Sequence, residues 1–222
     1  MTTLFDRLVA ASSEAWSAYV DHDFTRQMGR GELPLDCFRH FLTQDYLFLI
    51  HFARAYALAV YKGRNLQEMR SALEGLKAIL DVEMDLHVRL CAGWDISASQ
   101  LEQADEARAT MAYTRYVLET GLRGDLLDLH VALAPCIQGY AHIGKNLCTV
   151  PGALDADNPY REWILEYSGD AFQEVARAGR EIMDQLAVTS LTEARFPQLA
   201  RIFAQACRLE ADFWQMGLTL AD

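Results

Sequence analysis

Three stretches of this sequence place one chemically useful residue on an otherwise apolar helical stripe. Positions 126, 129, 133, 136, 140, 143 and 147 read Leu, Leu, Leu, Cys136, Tyr140, Ile and Leu. Positions 38, 41, 45, 48, 52, 55 and 59 read Phe, Phe, Asp45, Phe48, Phe, Ala and Ala. Positions 199, 203, 206, 210, 213, 217 and 220 read Leu, Phe, Ala, Glu210, Phe, Gly and Leu. Steps of three and four keep side chains on one helix face, so each stripe points at a core. A thiol can attack carbon covalently, and a buried carboxyl must shift its pKa, find a partner or face a polar cavity. Taken together, Cys136, Asp45 and Glu210 suggest one shared cavity holding a nucleophile and an acid–base pair. Tyr113, Tyr116, Tyr140 and Tyr167 could supply flat faces and hydroxyls around it.

Each residue also has a plainer explanation. A cysteine on an apolar stripe commonly serves as a small core residue. A lone buried carboxyl is often satisfied by a helix cap or an arginine, and a tyrosine by packing. The conjunction of all three types raises the chemical reading above its parts.

These side chains need long helices to carry them. Apolar spacing of three to four runs through nearly the whole chain, and alternation with period two is almost absent. The fold is therefore expected to be all-α, with helices over 3–20, 35–62, 65–92, 99–120, 125–149, 159–168, 170–188 and 193–220. Pro34 suits a first helical turn, and Asn158 followed by Pro159 reads as a cap and first position. No repeat, low-complexity tract or long linker breaks the pattern, so residues 1–222 are expected to form a single-domain helical bundle.

Composition limits the function. The chain has 222 residues, 51% of them hydrophobic and 23% charged, an ordinary globular mix. Its formal charge of −11 argues against nucleic-acid binding, which needs clustered Lys and Arg. The beginning, "MTTLFDRLVAASSEAW", does not read as a signal peptide. The most apolar region, "DYLFLIHFARAYALAVY", contains Arg54 and opens on Asp45, so no membrane span is expected. The five cysteines form no CxxC pair and fit reduced thiols in a cytoplasm.

A metal site is the competing chemistry. Glu83 and His87 lie four apart on one face, and His22 near the chain start could be an axial haem ligand. The paired Glu-x-x-His motifs of di-iron bundles are missing, and the other histidines have no ligand spacing with one another. The glycines make no phosphate-cradling pattern. No metal and no organic cofactor is expected.

The stretches "LTQDYLFLIHFARAYALAV", "VEMDLH", "LAPCIQGY", "YREWILEYSGDAF" and "LEADFWQMG" occur in an order that resembles the TenA/thiaminase II family. The resemblance covers most of the chain and implies the helical fold also seen in haem oxygenases. It implies that Cys136 is the nucleophile and that Asp45 and Glu210 are catalytic or pyrimidine-binding carboxylates. Phe48, Tyr113, Tyr140 and Tyr167 would complete the pocket. The cysteine-containing branch of the family is implied to act as aminopyrimidine aminohydrolase, with thiamine as a secondary substrate and a homotetramer as the assembly. Phe48 departs from well-known members, which have tyrosine there; it keeps a stacking face and loses a hydroxyl.

The implied reaction converts 4-amino-5-aminomethyl-2-methylpyrimidine to its hydroxymethyl counterpart through a thiol adduct at ring C6. One carboxyl would serve the ring nitrogen that gains charge, and the other the amidine edge. Glu210 is assigned the first task and Asp45 the second, with the reverse left open. Pro135 is expected to break the helix and free backbone N–H groups beside Cys136, lowering the thiol pKa. The alternatives are a metal- or haem-dependent oxidase using His22, Glu83 and His87, and a non-catalytic regulatory protein that binds a pyrimidine.

Overall fold

Short polar side chains start several of the helices. Thr3 and Asp6 exchange hydrogen bonds at the head of α1 (Leu4–Ala11), and α2 (Ser13–Val20) follows after Ser12 turns the backbone. His22 caps α3 (Asp23–Gly29), its ring accepting from the Phe24 N–H. Pro34 stands just before α4 (Leu35–Lys62), where its carbonyl accepts from Cys37 and Phe38. Asn65 caps α5 (Leu66–Ala78), which runs through a π-helical turn (Ile79–Glu83) into α6 (Met84–Gly93). Ser97 and Gln100 form a reciprocal cap on α7 (Ala98–Gln103), and α8 spans Arg108–Arg123. Asp125 and Asp128 exchange bonds at the head of α9 (Leu126–Leu147). The last helices are α10 (Arg161–Ser168), α11 (Asp170–Ser190) and α12 (Phe196–Thr219). Such caps satisfy N–H groups that a helix start leaves unpaired. This is a computed structural model that describes residues 2–222, and among them there is no strand.

The helices group into two compact units. The first comprises the chain up to Leu33 together with His130–Gln215; the second comprises Pro34–Leu129 and Met216–Asp222. In the second, α4 is central, packing against α5, α6, α7 and α8. In the first, α1 packs on α2 and α11, and α10 packs on α11. The first unit has an aromatic core in which Trp214 stacks on Phe24 with ring centroids 5.1 Å apart.

The expected stripes are largely buried. Every position named on α4 is buried, and on α9 all are buried except Cys136, which is half-buried. On α12 the buried series runs from Leu199 to Gly217; Leu220 is exposed because the helix has ended and its φ is 54°.

Several expected boundaries need correction. The expected helix 3–20 is two helices, and α3 was not anticipated. The expected helix 99–120 is broken between α7 and α8 because Gln44 of α4 captures the connecting segment. Its amide donates to the Asp105 carbonyl (2.9 Å), and its oxygen accepts from the Ala107 N–H (2.9 Å) and the Thr110 hydroxyl (2.6 Å). Asn158 and Pro159 do not start a helix: Asn158 accepts from the Tyr160 N–H at 2.9 Å, and α10 begins at Arg161.

Candidate active site

In the first unit, Cys136 lies on α9 directly after Pro135. The helix continues through this proline. The expectation that Pro135 breaks the helix and frees N–H groups beside Cys136 is therefore corrected. The physical reason is direction: a helical proline deprives the carbonyl four residues earlier, here Val131, and leaves the N–H groups after it free to bond within the helix.

Tyr19, on α2, marks where the reactive groups of this unit gather. It is fully buried, and its hydroxyl donates to the Pro135 carbonyl at 3.1 Å. Its phenol is pushed well above its ordinary pKa, first by burial and then by the charges of Glu210, Cys136, Cys207 and Tyr167. Those groups therefore lie within electrostatic reach of it. Glu210 on α12 is 1% exposed, so an apolar face does bury this carboxyl. Tyr140, one turn beyond Cys136, meets Tyr167 edge-on at 5.0 Å and Trp214 at 5.2 Å. Tyr167 also packs on Trp163 at 4.4 Å and on Phe172 at 4.7 Å.

Its place is held by backbone contacts. The Gln173 amide donates to the carbonyls of Ala141 (2.9 Å) and Tyr167 (2.8 Å), joining α9 to the end of α10. Gly144 permits the approach: a Cβ there would sit 2.6 Å from the Tyr167 carbonyl carbon.

In the second unit, Asp45 of α4 is 5% exposed, as its stripe requires. Its carboxyl is held well above the usual carboxylate range, mainly by burial and further by the negative charge of Glu83. Glu83 is the last residue of the π-helical turn. His87 of α6 lies beside Asp45, its Nδ1 3.5 Å from Oδ2. The other ring nitrogen, Nε2, is 2.8 Å from the Leu42 carbonyl.

Burial pushes the His87 pKa down to about 4, so the ring is neutral near pH ~7. A carbonyl only accepts, so Nε2 carries the hydrogen and Nδ1 bears the lone pair. The contact with Asp45 is then attractive when Asp45 carries a proton. Phe48 stacks on Tyr113 with centroids 5.0 Å apart, and both are buried.

The structure thus gathers Cys136, Tyr140, Tyr167 and Glu210 in the first unit, and places Asp45, Phe48 and Tyr113 in the second. Two residues that the sequence offered as metal ligands, His22 by its place near the chain start and His87 by its spacing from Glu83, have other partners. His22 caps α3 through Nδ1 and also bonds Gln215, while His87 is held by Leu42 and Asp45. Among the described residues, no group of three or more His, Cys, Asp and Glu side chains is arranged to hold a metal. Nor is any helix among them long and apolar enough to cross a membrane. Tyr19 and Gln173 were missed because nothing local in the sequence pairs them with α9.

A family model for TENA/THI-4/PQQC proteins matches residues 10–220. The chain belongs to the TENA/THI-4/PQQC family. Among its relatives in that family, the aminopyrimidine aminohydrolase of Halalkalibacterium halodurans is 42% identical, over 91% of this chain and 89% of that protein. A solved structure described as a TenA family transcription regulator, from Silicibacter sp. TM1040, superposes with a TM-score of 0.93 at 41% identity. It covers 97% of this chain and 96% of that one. A domain with a haem-oxygenase-like fold from Shewanella denitrificans has a TM-score of 0.77 at 13% identity, covering 97% of this chain and 92% of its own, and so speaks for fold alone. The all-α, haem-oxygenase-like architecture of this family member is that anticipated from its helical periodicity and resemblance.

Proposed function

We propose that this TENA/THI-4/PQQC family member is a thiamine-salvage hydrolase. It converts 4-amino-5-aminomethyl-2-methylpyrimidine and water to the hydroxymethyl pyrimidine and ammonia, and acts more weakly on thiamine. The observation that carries the reading is the clustering of a half-buried thiol, Cys136, with Glu210 and the rings of Tyr140 and Tyr167. The name of the relative from H. halodurans supports the same substrate class. The other buried thiols are poorer candidates. Burial raises the pKa of Cys37 and of Cys207, and raises that of Cys91 to about 12.

In this reading the Cys136 thiolate adds to ring C6, and Glu210 delivers a proton to the ring nitrogen that gains the electron pair. The aminomethyl group, bound as an ammonium, then leaves the methylene carbon of the enriched ring as neutral ammonia. Water adds to the exocyclic carbon and gives its proton to that ammonia, Glu210 recovers the ring proton, and the C6–S bond breaks to restore the thiolate. Covalent addition divides one difficult displacement into easier steps.

Asp45 binds the amidine edge. A protonated carboxyl offers one donor and one acceptor; on binding, the Asp45 proton turns from His87 Nδ1 to ring N3 while the other oxygen accepts from the 4-amino group, and the raised pKa of Asp45 suits that role. Tyr140 and Tyr167 hold the flat ring by edge and stacking contacts, and the resemblance adds Phe48 and Tyr113 of the second unit to the substrate-binding residues. The enzyme works in the cytoplasm as a homotetramer.

The test is hydroxymethylpyrimidine release from the aminopyrimidine and, in parallel, from thiamine, by the wild type and by Cys136→Ala. Turnover that requires Cys136 supports the proposal and ranks the substrates. Folded protein that binds the pyrimidine without turning it over would replace the hydrolase by a binding protein.

A further inference from the structure

The peptide unit that introduces Cys136 is held from outside its helix. A peptide is planar, so the Pro135 carbonyl and the Cys136 N–H are opposite ends of one rigid plate. The Tyr19 hydroxyl grips that plate by its oxygen at 3.1 Å. Pro135 itself brings no N–H, so this turn of α9 has one fewer helical bond than its neighbours.

The other side of the grip is steric. Gly139 lies one turn beyond Pro135, and a Cβ there would come within 2.1 Å of the Tyr19 ring and 2.3 Å of its hydroxyl oxygen. Only a glycine lets the phenol lie against the helix backbone at this point. Behind it, the Tyr19 ring is enclosed by Trp16 (centroids 5.9 Å) and Trp214 (6.4 Å), which leaves it little freedom to turn. Tyr19 is 0% exposed, so water does not compete for its hydroxyl.

We propose that Tyr19 is a positioning residue: by clamping the Pro135–Cys136 peptide against α9 it aims the Cys136 thiol at the substrate ring. It touches neither substrate nor reacting atoms. It acts through the backbone of the nucleophile, with Gly139 as the vacancy that admits it. Cys136 is the half-buried member of a run in which residues 131–135 and 137–141 are all buried. Releasing the clamp lets that turn relax and the thiol settle among its buried neighbours. The proposal rests on reading Cys136 as the nucleophile.

The experiment compares the wild type with Tyr19→Phe, which removes one oxygen and keeps the ring. Two quantities are measured: kcat and KM for the aminopyrimidine, and the iodoacetamide alkylation rate of Cys136. The alkylation is resolved by peptide mass spectrometry with Cys148 as an internal reference. A misaimed nucleophile is expected to lower kcat by roughly ten- to a hundredfold while KM moves by less than about twofold. Alkylation of Cys136 should slow by roughly threefold or more with that of Cys148 unchanged, since a thiol that sinks among apolar neighbours loses access and thiolate character.

An unchanged kcat together with unchanged Cys136 alkylation would overturn the proposal. So would a loss of activity that only follows the folded fraction seen by circular dichroism. If the wild type turns over no pyrimidine, the hydrolase reading fails separately, and the alkylation comparison still decides whether Tyr19 governs the thiol. Gly139→Ala gives an independent check by displacing the phenol while keeping its hydroxyl. In folded protein it should reproduce the slowed alkylation, and wild-type alkylation there would count against the clamp.

Discussion

Replacing Asp45 by asparagine should make the folded chain more stable as pH rises while weakening pyrimidine turnover. In the unfolded chain Asp45 loses its proton near pH ~3.9. In the folded chain, burial and Glu83 keep that proton on to well above this value. Between the two values the folded state binds one proton more than the unfolded state. Stability then falls with rising pH by about 1.4 kcal/mol per unit. His87 works in the opposite sense. Unfolded, it takes a proton below pH ~6.5; folded, burial keeps it neutral down to about pH 4. Its contribution therefore falls as pH drops through that window, by about 3 kcal/mol in all.

Where the pH lies between about 4 and about 6.5 and Asp45 still holds its proton, the two slopes oppose each other. Asparagine removes one slope and exposes the other, and its amide can still donate toward His87 Nδ1. The stability gap between Asp45→Asn and the wild type should widen by about 1.4 kcal/mol per pH unit until the folded-state pKa of Asp45 is passed. Urea unfolding followed by circular dichroism at pH ~5, ~6 and ~7 measures the gap directly. A gap independent of pH would mean that Asp45 is ionised in the folded protein, refuting the neutral pair. Lower turnover in the same variant would be a stability–function trade-off, in which an expensive buried group is kept for its chemistry.

Glu83→Gln removes the second cause of the Asp45 shift, so the Asp45 titration, followed by carboxyl NMR, should move to lower pH; an unmoved titration would exclude Glu83 as a cause. Gln44→Leu strands the Ala107 N–H and Thr110 hydroxyl and frees the segment between α7 and α8. It should cost about 2–4 kcal/mol, read from urea midpoints. Gly144→Ala forces a methyl against the Tyr167 backbone. Stability should fall by about 1–3 kcal/mol in a thermal or urea melt, and KM for the pyrimidine should rise more than kcat falls.

Much of the fold was written locally. Helical periodicity is set by neighbours three and four residues apart, so the span of α4 and the burial of Asp45 and Glu210 could be read before any tertiary contact was known. The same spacing put Tyr140 one turn from Cys136. The sequence by itself thus determined the helical class, the faces and the chemical groups on them.

The tertiary structure decided which distant groups meet. Glu83 and His87 share a helix-like spacing that suits a metal, yet packing of α6 on α4 turns His87 toward Leu42 and Asp45. The break between α7 and α8 depends on Gln44, 61 residues before the Asp105 carbonyl it binds. Tyr19 meets Pro135 across 116 positions of sequence, through a gap that a glycine leaves on another helix. Periodicity carries no information about such pairs, because a buried polar group is satisfied by whichever partner the folded backbone brings within hydrogen-bonding reach.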